Sequence, residues 1–241
     1  MRAETRHQLK TDRFSKATIG AAEATAHWTV EHKSKIIITV VIAVVVLAAL
    51  LGSWYYLGQQ DGKANVQLSQ AVRTLSTQIR PAGTPETPNL PTFASVEERA
   101  AAAKKQLQGI VDQYPHTRTA DIARYMLGTT AIEVGDNATA ERELRDVADI
   151  HNRNLASLAK LALAGLYGNT NRTKDALDLY KQLIDKPSDT VSKVTAQLQL
   201  ADLYESSQQP GEAKRIYEQI AKENPKTEAE QIAQTKLQAL K

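Results

Sequence analysis

LALAGLY at residues 161–167 and LQLADLY at residues 198–204 decide how this chain folds, because each is one half of a motif that recurs. Both set a leucine, a small residue and a tyrosine in the same order on a helix: Leu163, Ala164 and Tyr167, then Leu200, Ala201 and Tyr204. A weaker copy stands upstream as Leu127, Gly128 and Ala131. Each copy is followed by a second motif: Ala140 with Leu144, Ala176 with Tyr180, Ala213 with Tyr217. Equivalent positions are separated by 36 and then 37 residues throughout, the length of one helix–turn–helix unit. A further step back of 37 finds Ala103 and Leu107, the second half of an earlier unit whose first half is expected at residues 66–80.

Side-chain size gives the pattern its meaning. Small residues let two helix backbones cross closely, and large ones fill the space between successive pairs. One pair cannot bury its apolar face, whereas a stack of pairs can, and the stack needs a polar end. From residue 95 onward strand signals are absent and helical periodicity is continuous. Ser95 followed by Glu98 has the form of a capping box, opening a helix that Pro115 stops after Tyr114. Further helices are predicted at 119–134, 137–150, 155–167, 173–184, 190–206, 211–223 and 228–240, with loops short enough to make neighbours antiparallel. The last is capped by Thr227 and Glu230, and Gln231, Gln234, Lys236, Gln238 and Lys241 make one side of it wet, so the stack ends there.

Outward from the repeats, residues 36–57, IIITVVIAVVVLAALLGSWYYL, contain no charge. At about 1.5 Å per residue they reach roughly 33 Å, enough to cross a hydrocarbon core of about 30 Å. Lys33 and Lys35 precede the run, and Trp54, Tyr55 and Tyr56 close it with aromatics that favour the headgroup region. A buried helix of a soluble domain would need apolar partners on every side. A cleaved leader would have a shorter basic region, a shorter apolar run and small residues at its end. An uncleaved anchor is therefore the expectation.

Charge sets the direction of that anchor. The chain has 30 Lys and Arg against 27 Asp and Glu, but seven basic and four acidic residues lie up to Leu57, leaving 23 of each sign beyond it. Basic residues beside a span stay on the cytoplasmic side, which places the N-terminus in the cytoplasm and the C-terminal part in the periplasm. A neutral C-terminal part argues against nucleic-acid binding. With no cysteine, disulfide and zinc-cysteine frameworks are excluded. The expected domains are a mostly disordered basic tail at 1–35, the transmembrane helix at 36–57, a membrane-proximal helix and proline-rich loop at 58–94, and the repeat domain at 95–241. The tail holds one short amphipathic helix around residues 19–30, with Trp28 at the inner interface. The loop, PAGTPETPNLPTF, carries four prolines that deny a helix its donors.

Catalytic chemistry has no foothold in the sequence. His7, His27, His32, His116 and His151 form no metal-ligand spacing, and Ser95, Ser157 and Ser192 lack a His and Asp that the sequence places nearby. No catalytic, cofactor or metal site is expected, and no small-molecule substrate. Glu141, Glu143, Asp146 and Asp149 are interleaved with Arg142 and Arg145, the mark of a solvated helix face laced with ion pairs. Asn137-Ala-Thr139 and Asn171-Arg-Thr173 satisfy a glycosylation sequon but read more simply as turn and cap residues.

LALAGLY with ALDLY, and LQLADLY with EAKRIYEQIAKENP, resemble the tetratricopeptide repeat; YMLGTTA with AERELRDVA resembles it less closely. The initial tryptophan of that pattern is absent from every copy, and the usual period is about 34 residues. The resemblance implies an all-α solenoid that binds partner proteins along the concave face of its first helices. Carried onto this chain, that face is lined by Tyr125, Thr129 and Ile132, then Leu161, Gly165 and Gly168, then Leu198, Asp202 and Glu205. It holds no Lys or Asn of the kind that clamps a peptide carboxylate, so an apolar groove with an acidic end is expected. Packing between repeats is the competing role for the leucines.

The whole order of parts, from KSKIIITVVIAVVVLAALLGSWYYLG to AAAKKQLQGIVDQYPHT and the repeats, is similar to the YfgM-like bacterial proteins. Their proline-rich loop is shorter. That resemblance implies an ancillary subunit of the SecYEG translocon in the inner membrane, linking export to periplasmic chaperones. A scaffold for cell-envelope synthesis or division is the alternative with the same fold and topology; an enzyme, or repeats in the cytoplasm, are the others.

Overall fold

The computed structural model describes residues 33–81, 83–84 and 92–240. Residues 1–32 of the tail expected at 1–35, with its amphipathic stretch, Trp28 and three of the histidines, lie outside them, as do residues 82 and 85–91 of the proline-rich loop, whereas residues 33–35 belong to a helix. The chain divides into two units, Met1–Leu57 and Gly58–Lys241.

Among the described residues there are nine helices. They are α1 (Lys33–Ser76), α2 (Val96–Gln113), α3 (Arg118–Glu133), α4 (Asn137–Ala148), α5 (Arg153–Asn169), α6 (Thr173–Asp185), α7 (Lys193–Ser206), α8 (Pro210–Glu223) and α9 (Glu228–Ala239). Their starts follow local chemistry. Ser95 accepts from the Glu98 N–H at 3.2 Å while the Glu98 carboxylate reaches back to the Ala94 N–H at 2.7 Å. The side chains of Thr117, Asp136, Asn152, Ser192 and Thr227 cap α3, α4, α5, α7 and α9, each accepting the N–H of the third residue on. Asp61 adds a second acceptor at the start of α3, taking the Thr119 N–H at 2.9 Å.

Two boundaries beyond Leu57 differ from expectation by more than two residues. The membrane-proximal helix ends at Ser76 rather than near Arg80, because Ile79 pairs with Phe93 as an isolated bridge. The Arg80 N–H donates to the Phe93 carbonyl at 2.9 Å and the Phe93 N–H to the Gln78 carbonyl at 3.1 Å, which closes the neck of the proline-rich insertion. Helix α7 starts at Lys193, three residues late, since Ser188 and Val191 hold each other at 2.9 and 3.1 Å and Thr190 donates to the Asn154 carbonyl at 2.7 Å. This longer connection absorbs the extra residue of the 37-residue spacing.

The repeat positions form the core. Leu127, Leu144, Ala140, Ala176, Ala213 and Tyr217 have no exposed surface, and Leu163, Tyr167 and Tyr180 keep no more than 4 %. Ala64, Leu68 and Ala71 of α1 pack with Leu107, Ile110, Val111, Ala123 and Leu127, so the segment of α1 beyond Gly58 completes the first helix pair with α2. At the other end Ala233 of α9 closes a cluster with Ala201, Tyr217 and Ile220. First helices of successive units also touch: α3 meets α5 and α5 meets α7. In the other unit, the side chains described at 37–57 are all exposed. Helix α1 is long and apolar enough to cross a membrane.

Candidate protein interface

All eight expected lining residues stand half-buried on the first helices: Tyr125, Thr129 and Ile132 on α3, Leu161 and Gly165 on α5, Leu198, Asp202 and Glu205 on α7. The helices that carry the three sets touch in succession, α3 with α5 and α5 with α7. Tyr125, Ile132 and Leu161 also pack on the central core, and burial pushes the Tyr125 hydroxyl pKa up. The Thr129 hydroxyl is spent on the Met126 carbonyl at 3.1 Å. Gly165 is open: a Cβ there would meet nothing within 4 Å. At Gly168 a Cβ would meet Leu203 Cδ1 at 3.0 Å, so that glycine serves packing.

The acidic pair is already engaged. The Tyr217 hydroxyl donates to Glu205 at 2.5 Å and lies 3.1 Å from Asp202, and Lys236 of α9 bonds Asp202 at 2.7 Å. Burial, then the two carboxylates, pushes the Tyr217 hydroxyl pKa far up, while the bond to Asp202 raises that of Lys236. These contacts fasten the last helix to α7 and α8.

On the opposite side, the second helices α4 and α6 flank α5. The Tyr167 hydroxyl accepts from Arg145 Nε at 2.8 Å and donates to Glu141 at 3.0 Å. Arg172 grips both Glu141 oxygens at 2.9 and 2.8 Å and lies 3.9 Å over the Tyr167 ring. The Arg172 bonds, ahead of the others, hold the Glu141 carboxyl below its usual range. Glu143, expected on a solvated face, is instead only 5 % exposed and takes Arg142 Nε and Nη2 at 2.9 and 2.8 Å. Its register explains this, since the equivalent positions are Leu179 and Ile216, both packed on the core.

Between α4 and α6 lies a cleft of about 610 Å³, with Ala148, Ile150, Ala156 and Leu183 in its walls and Arg153, Lys160 and Lys186 among its charged residues. A second of about 430 Å³ shares Ala148, Asp149, Lys160 and Gln182 with it. The lining positions of the first helices gave no hint of this space; the signal was the missing tryptophan, since Lys160 occupies its place in the unit. Ser95 and Ser192 are helix caps and Ser157 is buried. No group of three or more His, Cys, Asp or Glu residues able to hold a metal occurs among the described residues.

Stacked antiparallel helix pairs define an α-solenoid, a fold that offers extended surfaces to partner proteins. Residues 26–241 match the family model described as a tetratricopeptide repeat-like domain, and the chain belongs to that family. A solved tetratricopeptide repeat protein from Parabacteroides merdae is 20 % identical with a TM-score of 0.47, over 60 % of this chain and 54 % of that one. The chain thus spans about half the length of that protein. No curated protein matches the chain.

Proposed function

We propose that this chain is a single-pass inner-membrane scaffold that holds its repeat solenoid in the periplasm and docks other envelope proteins on the first-helix face. Its most specific form is an ancillary translocon subunit that brings a periplasmic chaperone to emerging substrates. The observation that carries the anchored reading is the contrast along α1. Residues 37–57 bury nothing, whereas beyond Gly58 the helix buries Ala64, Leu68 and Ala71. The bias of seven basic residues before the span supports the orientation, and the order of parts supports the translocon reading.

Gly165 supplies a clean test. Because a Cβ there meets nothing, Gly165→Arg obstructs the face while replacing a poor helix former by a good one. The expected outcome is unchanged or higher thermal stability with loss of partner co-purification from membranes. Unchanged capture rejects the first-helix face. Photocrosslinking from Thr129 then identifies the partner: translocon subunits or chaperones support the specific reading, and envelope-synthesis proteins replace it. Protease access to the repeats in spheroplasts checks the topology, and protection there overturns it.

A further inference from the structure

We propose that the cleft between α4 and α6 is a second docking site, for a peptide segment that offers a large aromatic side chain flanked by acidic residues. The site goes beyond the first-helix face and does not depend on it. In the repeat pattern a tryptophan stands three residues before the unit's leucine. Here those positions are Arg124, Lys160 and Gln197. None brings an aromatic ring, and the fold closes over the change at Arg124 and Gln197 but not at Lys160. The Arg124 Nε and the Gln197 Oε1 are buried without a hydrogen-bond partner, and at Lys160 the cleft stands open with Ala148, Ala156 and Leu183 in its walls. An aromatic side chain from a partner fits the space that the chain's own pattern leaves empty, as aromatic anchors do in interface pockets.

Charge selects the flanks of that segment. Among the described residues Arg153, Lys160 and Lys186 at the cleft form no ion pair within 4.0 Å; Lys160 donates to the side-chain Oε1 of Gln182 at 3.4 Å, and Arg153 to the Pro187 backbone carbonyl at 2.7 Å. The neighbouring Glu141, Arg145, Arg172 and Asp175 are all paired with one another. Asp149 and Asp185 also line the cleft, so three cations face two carboxylates and the balance favours an acidic partner.

The test uses the full chain in phosphatidylcholine nanodiscs and a fluorescein-labelled acetyl-Glu-Asp-Trp-Asp-Glu amide, read by anisotropy. Exchanging the peptide's Trp for Ala, or its acidic residues for Lys, should weaken binding about tenfold or more. Lys160→Trp restores the pattern's residue and fills the cleft, so it should abolish binding with helicity retained and melting temperature not lowered. Should that variant misfold, Lys186→Glu, at an exposed residue, should weaken binding about tenfold. Gly165→Arg should leave peptide binding unchanged, which separates this site from the first-helix face. Undiminished binding by the folded Lys160→Trp or by Lys186→Glu, equal binding of the basic peptide, or loss only in Gly165→Arg overturns the proposal.

Discussion

A methyl group added at Gly128 would lie 2.6 Å from Cγ and 2.9 Å from Cδ2 of Leu144, a side chain with no exposed surface. The equivalent pairs are Ala164 with Tyr180 and Ala201 with Tyr217, where the methyl is present. A leucine branches at Cγ, close to the backbone it packs on, whereas a tyrosine carries its bulk further out. Gly128→Ala should therefore cost about 1–3 kcal/mol through overpacking, against about 1 kcal/mol gained in helix propensity. The net expectation is a lower melting temperature by circular dichroism. Gly165→Ala, with nothing to clash, should raise it. Equal effects would mean that the α3–α4 crossing has room for the methyl. Asp136 gives a pH-dependent case: it caps α4 through the Thr139 N–H at 3.2 Å and pairs with Lys104. The Lys104 bond first, then the Thr139 bonds, lower its carboxyl pKa from 3.8 to about 2. A depressed carboxyl stabilises the fold above its unfolded value and loses that contribution as pH falls through the folded one. Asp136→Ala should thus cost about 1 kcal/mol at neutral pH as a lost cap. The gap from the native chain should narrow between pH 4 and 2.

The turns of the pairs α3–α4, α5–α6 and α7–α8 are each built on one left-handed residue, at Gly135, Asn171 and Gln208, with φ of 75°, 60° and 59°. The residue that follows donates its N–H to a carbonyl five positions back, at Ala131, Tyr167 and Tyr204, over 2.9, 2.8 and 2.8 Å. Glycine takes this conformation freely and asparagine tolerates it, but glutamine pays roughly 1 kcal/mol or more in side-chain crowding. Gln208→Gly should raise the urea midpoint at unchanged slope, and Asn171→Gly should raise it less. No gain at Gln208 would show that α7 and α8 relax the turn. At this scale much was legible in the sequence, because periodicity, caps and equivalent spacing are local signals. Ser95 with Glu98 and Thr227 with Glu230 were readable as they stand. The late start of α7 was not, since Val191 keeps an apolar helical register while long-range bonds from Asn154 and Arg153 hold its loop open. The engagement of Asp202 and Glu205 escaped for the same reason: Tyr217 and Lys236 are 15 and 34 residues from Asp202 in sequence. Glu143 is buried because it shares the register of Leu179 and Ile216, which charge patterning alone does not reveal.

At the scale of the molecule, the two units place opposite demands on their surroundings. The unit from Gly58 onward buries its repeat leucines, alanines and tyrosines among its own helices. The described part of the other exposes one apolar side chain after another, with Val46 at 51 % and Leu50 at 62 %. Such a surface is stable only where lipid or another protein covers it. The uninterrupted run made this legible from composition alone, whereas the face that meets a partner depends on how helices from separate units align. Placing Arg at both Val46 and Leu50, one turn apart near the middle of the span, separates lipid from protein as the cover. Two arginines there oppose insertion by about 5–7 kcal/mol. If the span sits in a bilayer, the double variant should move from the carbonate-resistant membrane pellet to the soluble or degraded pool. The repeat unit buries its core independently of those side chains, so the helical signal of whatever chain is recovered should persist. Retention of the variant in the washed membrane would mean that α1 does not cross it, and the anchored scaffold would lose its basis.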